Sequence, residues 1–323
     1  MNEVGVVIDM GGTMIKIGLV TDGKILAHIK VDAESRVSLE QRLLSVGDVV
    51  DGLLREHGLT PIGIGVAFPG IVDAGNKRIL SRYVKYPDAQ DFDLAAWADR
   101  RWGVPLAVEN DARAALVGEW QYGAGQQCDN LVLVTLGTGF GSAVLIDGKL
   151  LRGRNHVAGN LGGHMTMNVH GNTCNCGNIG CLETECSAWA LEEYVRKQAG
   201  FASSALAGGQ DITFKNIFAQ SRVGDALARE VLIHCLKVWS LGIISLIHAY
   251  DPERIIIGGG IMKSQDVIIP AVREMVAKHS WVKDNVPEIV PAVQTEFAGV
   301  LGMYHALSTL RRGRQSLQGV SAL

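Results

Sequence analysis

The chain has 323 residues, 47% hydrophobic and 20% charged, with a formal net charge of -3. This is the balance of a globular protein large enough for two cores rather than one. No Lys/Arg block is long enough to mark a nucleic-acid partner, and Arg311, Arg312 and Arg314 read as a solvated helix terminus. The apolar run Val4-Gly5-Val6-Val7-Ile8 follows Glu3 directly, without the basic start of a signal peptide. Residues 238–250, the most apolar stretch, are too short and too interrupted to span a bilayer. Neither a nucleic-acid nor a membrane partner is expected, and the reducing cytoplasm is the expected home.

The first predicted element is a hairpin. The opening apolar run passes through Asp9-Met10-Gly11-Gly12-Thr13 into a second strand over 15–20, and Asp22-Gly23-Lys24 turns into a third. Asp-Gly between apolar runs is a strong hairpin signal. A helix over Leu39–His57 follows, then a buried strand over 62–68 that ends in Pro69-Gly70, which composition reads as a plain turn. A helix over Leu94–Trp102, a short strand over 106–109 and a helix over 112–122 complete this half.

The chain then repeats its opening. Leu131-Val132-Leu133-Val134-Thr135-Leu136 leads through Gly137-Thr138-Gly139-Phe140-Gly141 into an apolar run over 142–146, then Asp147-Gly148-Lys149. A period of about 125 residues is too long for a solenoid and implies a duplicated domain. We divide the chain into 1–122 and 123–323. In the second part, Ser187 can cap a helix flanked by Glu185 and Glu192-Glu193. Residues 225–250 read as a long, mostly buried helix ended by Asp251-Pro252. A strand over 254–257 runs into Gly258-Gly259-Gly260. Helices over 270–278 and 299–310 follow, and the tail beyond Arg312 is expected to fray. Strands mixed with helices throughout make the class α/β.

Four residues in the second part have metal-ligand spacing: His164, Cys174, Cys176 and Cys181. One imidazole and three thiolates make a closed tetrahedral zinc site, which would be structural because no position stays open for a reacting water. The competing reading is a chance cluster of free cysteines. Asp9, Gly11, Gly12, Thr13 and Lys16 sit at the first hairpin turn, where glycine backbone can approach an anion and Thr13 adds a donor. Asp9 makes sense there if it holds Mg²⁺ through water. Gly137, Thr138 and Gly139 repeat that device, and Gly258-Gly259-Gly260 add a third backbone-access point suited to a purine or ribose. Three such loops point to a nucleotide. At Glu109-Asn110-Asp111-Ala112, Asn110 or Asp111 is either a helix cap or, for Asp111, a general base that takes a hydroxyl proton during phosphoryl transfer. Glu183 is either a helix-start residue or a substrate-binding carboxylate.

These motifs occur in the order expected of the ROK family of sugar kinases and sugar-responsive repressors, which the chain resembles from residue 4 to about 310. The most specific segment is Cys174-x-Cys176-Gly177-x-x-Gly180-Cys181-Leu182-Glu183. The resemblance implies an actin-like ATPase (ribonuclease H-like) fold, with two α/β domains around a cleft and the last helix, about 299–311, packed back on the first domain. It implies ATP with Mg²⁺ on the Gly/Thr loops and Asp111 as base. It places Pro69, Gly70, Asn110, Asp111, Asn160, His164 and Glu183 around a hexose phosphorylated at its 6-hydroxyl, with His164 also on zinc, and it implies a homodimer or a dimer of dimers. The alternative is a sugar-sensing protein without kinase activity; a repressor would carry a helix-turn-helix ahead of the core, which here begins at residue 4. There is one departure. The family reads Glu-x-Gly-His before the cysteines, whereas this chain reads Asn160-Leu161-Gly162-Gly163-His164. The segment before Pro87 also lacks the family's Asn-Leu. Both changes argue against glucose as the preferred sugar.

Overall fold

The structure is a computed structural model that describes residues 3–81, 85–209 and 211–320, with side chains as far as residue 312. In chain order the elements are β1 (Glu3–Met10), β2 (Met14–Thr21), β3 (Lys24–Asp32), α1 (Leu39–His57), β4 (Thr60–Phe68), β5 (Val72–Asp73), β6 (Arg78–Ile79), α2 (Leu94–Trp102), β7 (Leu106–Asn110) and α3 (Asp111–Tyr122). There follow β8 (Leu131–Leu136), β9 (Phe140–Ile146), β10 (Lys149–Leu150), α4 (Leu182–Glu185), α5 (Ala188–Arg196), α6 (Phe214–Val223), α7 (Ala226–Tyr250), β11 (Arg254–Gly258), α8 (Gln265–His279), β12 (Glu288–Pro291) and α9 (Ala298–Val320). The chain divides into two compact units. The first runs to Gln126 and takes in Gly153–Val157 and everything from Glu296; the second holds Gln127–Arg152 and Ala158–Thr295.

The first unit is built on a five-stranded sheet in the order β3-β2-β1-β4-β7. β1 pairs antiparallel with β2 and parallel with β4, and β7 extends the parallel part. β1 is buried along nearly its whole length, so it reads as an unbroken apolar run rather than an alternating one. On one face lies α1, capped by the Ser38 hydroxyl and ended by Gly58 in the left-handed conformation. On the other lie α3 and α9, which touch closely enough that a Cβ on Gly118 or Gly302 would strike the backbone of the opposite helix. Val300, Met303 and Leu307 seat α9 on this sheet; burying such side chains stabilises by about 1.5–3 kcal/mol each.

The second unit repeats that plan in the order β10-β9-β8-β11-β12, again an antiparallel hairpin followed by parallel strands. The turns after β2 and β9 match in detail. Asp22-Gly23 have φ of 48° and 70°, and Asp147-Gly148 have 50° and 69°. Two successive left-handed residues define the hairpin turn whose twist suits the strands. By length and composition α7 could cross a bilayer, but 61% of its most apolar window is buried in this unit's core.

Several local expectations need correction. α8 begins at Gln265, not at residue 270, and carries Pro270 inside it; a short 3₁₀ turn over Gly260–Ser264 leads straight into it. α9 does not stop near residue 310 but continues as helix to Val320. Arg311 pairs with Glu3 at 3.5 Å, whereas the Arg314 side chain lies outside the described residues. The β5–β6 hairpin and α6 were not anticipated.

Candidate active site and metal centre

In the first unit the functional side chains converge on the C-terminal ends of β1, β4 and β7. Asp9 closes β1 and is almost fully buried. Lys16 Nζ lies 3.2 Å from Asp9 Oδ2, because the register that pairs Asp9 with Lys16 sets them opposite each other. Gly299, in the first turn of α9, faces the same carboxylate, so a positive helix end contributes to holding its charge. Gly12 and Thr13 are exposed at the turn, with their backbone open to a ligand.

Asn110 ends β7 and caps α3: its Oδ1 accepts from Arg113 N at 3.0 Å. Phe68 pairs with Asn110 in the β4–β7 register, which brings the Pro69-Gly70 turn alongside. Asn110 Nδ2 donates to Gly70 O at 3.0 Å and to Asp111 Oδ1 at 2.9 Å. Cap and site residue are therefore one and the same. Asp111 Oδ1 also accepts from Ala112 N at 2.8 Å. Burial pushes the Asp111 carboxyl up to about 6, and the nearby Asp9 charge adds to this; the Ala112 and Asn110 hydrogen bonds and the Lys85 ammonium pull it back. A carboxylate poised near neutrality is suited to taking a proton.

In the second unit, the loops at Gly137–Gly139 and Gly258–Gly260 lie side by side, because β8 and β11 are parallel neighbours with Gly258 opposite Thr135. Gly259, at φ 99°, packs directly on the Leu136 backbone. The start of α5 abuts the first of these loops. Ala188 N donates to Gly137 O at 3.3 Å and Trp189 N to Thr138 O at 3.4 Å. This corrects the expected role of Ser187: it holds the cap position, but its hydroxyl makes no capping bond because loop carbonyls already accept from that end of the helix. Glu185, which precedes the start of α5 as expected, is itself the last residue of α4. Glu183 Oε1 accepts from Phe140 N at 2.9 Å and Oε2 from Trp189 Nε1 at 3.3 Å. Glu183 thus ties the Gly137–Gly139 turn to the segment that follows the cysteines.

His164, Cys174, Cys176 and Cys181 come together, with ligand atoms all within 4.8 Å of one another. Cys174 Sγ is 3.6 Å from His164 Nδ1, and Cys176 Sγ is 3.7 Å from Cys181 Sγ. Tetrahedral zinc with Zn–S of about 2.3 Å and Zn–N of about 2.0–2.1 Å separates its ligand atoms by about 3.5–3.8 Å. The donor set and these two edges therefore fit the ion. The loop is a small knuckle with antiparallel bridges Thr166–Cys181 and Thr173–Ile179. Cys174 and Cys181 are buried, and of the three cysteines only Cys176 is exposed. Burial, with hydrogen bonds from the neighbouring thiols, holds the Cys181 thiol up at about 12; a cation must displace its proton to bind.

Asn160 sits just before a 3₁₀ turn over Gly162–His164. Ser142 pins this segment from beneath: its hydroxyl donates to Gly159 O at 2.8 Å and accepts from Gly162 N at 2.9 Å. Among the described residues the Asn160 side chain makes no hydrogen bond, and Leu161 is exposed. In the segment before Pro87, residues 82–84 lie outside the described residues. The sequence reading missed one further residue in each unit, Trp189 beside the Gly137–Gly139 turn of the second and Lys85 beside Gly12 in the first. Trp189 has no pattern to betray it, and Lys85 is a lone lysine in an aperiodic segment; its head group rests against Gly12.

Twin sheets of this topology, each with a Gly/Thr turn between its first two strands, define an α/β protein of the actin-like ATPase class. The ROK family model matches residues 5–309, and the chain belongs to the ROK family. It is 33% identical over 304 residues to a glucokinase of Thermotoga maritima, covering 91% of this chain and 94% of that one. It is 30% identical over 256 residues to the DNA-binding transcriptional dual regulator NagC of Escherichia coli, covering 78% of this chain and 62% of the regulator. Among solved structures, a ROK family glucokinase from Streptomyces griseus in complex with glucose and AMPPNP superposes with a TM-score of 0.78 at 30% identity, over 93% of this chain and 97% of that one.

Proposed function

We propose that this ROK protein is an ATP-dependent sugar kinase that moves the γ-phosphoryl group of ATP to a hydroxyl, the 6-hydroxyl, of a hexose or hexose derivative. One observation carries the reading. Asp111 opens α3 directly after the parallel strand β7, hydrogen-bonded by Asn110, with its carboxyl pushed up to about 6 by burial and by the nearby Asp9 charge. A sugar-sensing relative without kinase activity would have no need to hold two carboxylates near each other, since like charges in a buried site cost stability.

In this reading the two compact units are the two ATPase domains. Asp111 takes the hydroxyl proton. Asp9, held by Lys16, is the residue toward Mg²⁺, which when bound neutralises charge on the ATP phosphates. Gly11, Gly12, Thr13, Gly137, Thr138, Gly139, Gly258, Gly259 and Gly260 offer backbone and hydroxyl donors to the nucleotide. Around the sugar, Asn110 has both Nδ2 hydrogens committed, so its free acceptor site on Oδ1 is what meets a hydroxyl. Glu183 accepts two donors already and as a carboxylate has room for more. If zinc takes His164 Nδ1, the ring hydrogen falls on Nε2, which becomes a donor to the sugar. Zinc here fixes the loop and takes no part in the reaction. We place Asn160 where relatives of this family carry a glutamate, and propose that a neutral amide there disfavours glucose relative to an epimer or modified hexose. A homodimer belongs to the same proposal and is checked by light scattering.

The test is a coupled ADP-release assay over hexoses, amino sugars and N-acetyl sugars. Sugar-dependent turnover by at least one of them is expected, with glucose not the best; the absence of any sugar-dependent ADP release would overturn the kinase reading.

A further inference from the structure

An ideal Cβ built on Gly12 would fall 2.5 Å from Lys85 Nζ. The ammonium therefore occupies the space that Gly12 leaves by lacking a side chain, against the exposed backbone of the Gly11-Gly12-Thr13 turn. It is also near enough to Asp111 to act on that carboxyl through space. This placement is built in. Tyr86, the next residue, is fully buried at φ 54°, a region that bulky side chains rarely occupy. Its hydroxyl donates to Ala33 O at 2.8 Å and its N–H to Ser35 O at 2.9 Å, while Ala33 N donates to Thr13 O at 2.8 Å. A short relay of hydrogen bonds thus ties Tyr86, and with it the backbone next to Lys85, to the turn that Lys85 overhangs. Strained backbone held by several contacts is characteristic of functional positions.

We propose that Lys85 is a catalytic cation: it holds the phosphoryl group over Gly12 as that group passes to the hydroxyl deprotonated by Asp111. The proposal rests on the kinase reading above and adds a residue to it. In the step, the sugar oxygen bonds to the γ-phosphorus while the bond from that phosphorus to the bridging oxygen breaks. ADP leaves with the electron pair, and the hydroxyl proton goes to Asp111. Lys85 offsets the charge on the non-bridging oxygens, where a preorganised cation is most effective. Lys16 pairs with Asp9, and Lys85 lies over the turn, against Gly12. An anionic group on the sugar itself is the competing occupant; the contact with Gly12, part of the anion-binding turn, favours the phosphoryl group.

The experiment compares the wild type with Lys85→Met and Lys85→Arg, each checked by thermal melt, on neutral hexoses and on hexuronic acids. Wild-type turnover of a neutral sugar establishes the kinase reading independently of Lys85. If the wild type turns over no sugar, that reading fails and this proposal falls with it. With an active wild type, Lys85→Met should lower kcat on the best sugar by about 10²–10³-fold, the scale for loss of one preorganised charge-stabilising group. Its KM for the sugar should stay within about threefold, since the lost interaction belongs to the transition state. Lys85→Arg should recover part of kcat. A Lys85→Met enzyme with near wild-type kcat overturns the proposal. So does a defect confined to KM for a hexuronic acid, which would make Lys85 a binder of the sugar's own charge. If Lys85→Met does not fold, Lys85→Gln carries the same expectation.

Discussion

The two Gly/Thr hairpins share a topology, a turn chemistry and a sheet order, yet their surroundings differ in kind. The turn after β1 is ringed by ionisable groups: Asp9, Lys16, Lys85 and, through space, Asp111. The turn after β8 is ringed by the backbone N–H groups of Ala188 and Trp189, the Trp189 indole and the carboxylate of Glu183, which is tied down by two donors. Its unit also carries the knuckle of His164, Cys174, Cys176 and Cys181, four side chains placed to hold a metal. The same scaffold occurs twice, and in the proposed kinase the first copy would hold reactive charge and the second would grip and orient. Duplication conserves what the sheet needs, because strand register and turn type tolerate few residues, and leaves free whatever points away from the sheet.

If the halves differ in this way, damage to the first should act on kcat and damage to the second on binding. The largest effect is expected for Asp111→Asn, which keeps the shape and removes the base: kcat should fall about 10²–10⁴-fold, with ATP affinity little changed, as measured by steady-state kinetics and nucleotide titration. The same variant should be the more stable protein. Burial and the Asp9 charge raise the folded carboxyl to about 6, against an ordinary value of 3.8. Its protonated form therefore favours the fold below pH 3.8, and that contribution is lost as pH rises to about 6. The variant's advantage should be absent near pH 4 and complete above pH 6, on the order of 1–3 kcal/mol. Urea melts at pH 4.5 and 7.5 check this, and an advantage independent of pH would contradict it. In the wild type, kcat/KM should fall with decreasing pH below about 6 as the free base protonates.

Cys176→Ser is the matching lesion in the second half. It should release a metal that otherwise binds at about one zinc per chain, and raise sugar KM by about 10–100-fold, the scale seen when support of a metal site is lost. kcat and ATP affinity should suffer less. Metal analysis of freshly purified protein tests the premise, and equal damage to sugar and ATP would dissolve the distinction between the halves. Asn160→Glu is expected to have a smaller effect, shifting preference toward glucose by about tenfold if the charged acceptor gains one strong hydrogen bond. No shift would place Leu161 at that position instead. Smallest of all, Trp189→Phe removes one donor from Glu183 at a partly exposed site and should change ATP KM by only about two- to fivefold. A loss of kcat there would mean that the second turn takes part in the chemistry.

Local signals were legible wherever the physics is local. Helix α1 was bounded correctly at both ends because Ser38 and Gly58 are cap residues whose roles depend on neighbours three or four positions away. The Asp-Gly turns announced both hairpins for the same reason. The metal ligands could be read because three of the four fall within eight residues, Cys174 to Cys181. Ser187 misled because its helix end is capped by carbonyls fifty residues away in sequence, and Pro270 misled because the preceding 3₁₀ turn had already started the helix.

By itself the sequence determined the α/β class, the duplication, the Gly/Thr turns, the family and the list of groups able to do the chemistry, all of which follow from residue type and short-range spacing. Only the tertiary structure decided which of those groups share a site. It set Asp111 near enough to Asp9 to raise its carboxyl, gave Asn110 a cap and a site role at once, bound Glu183 to a loop rather than leaving it at a helix start, and brought Lys85 over Gly12 from more than seventy residues away. Coulomb and desolvation effects depend on distance in space and on burial; neither is written in spacing along the chain, and both are fixed when strands from distant segments come into register.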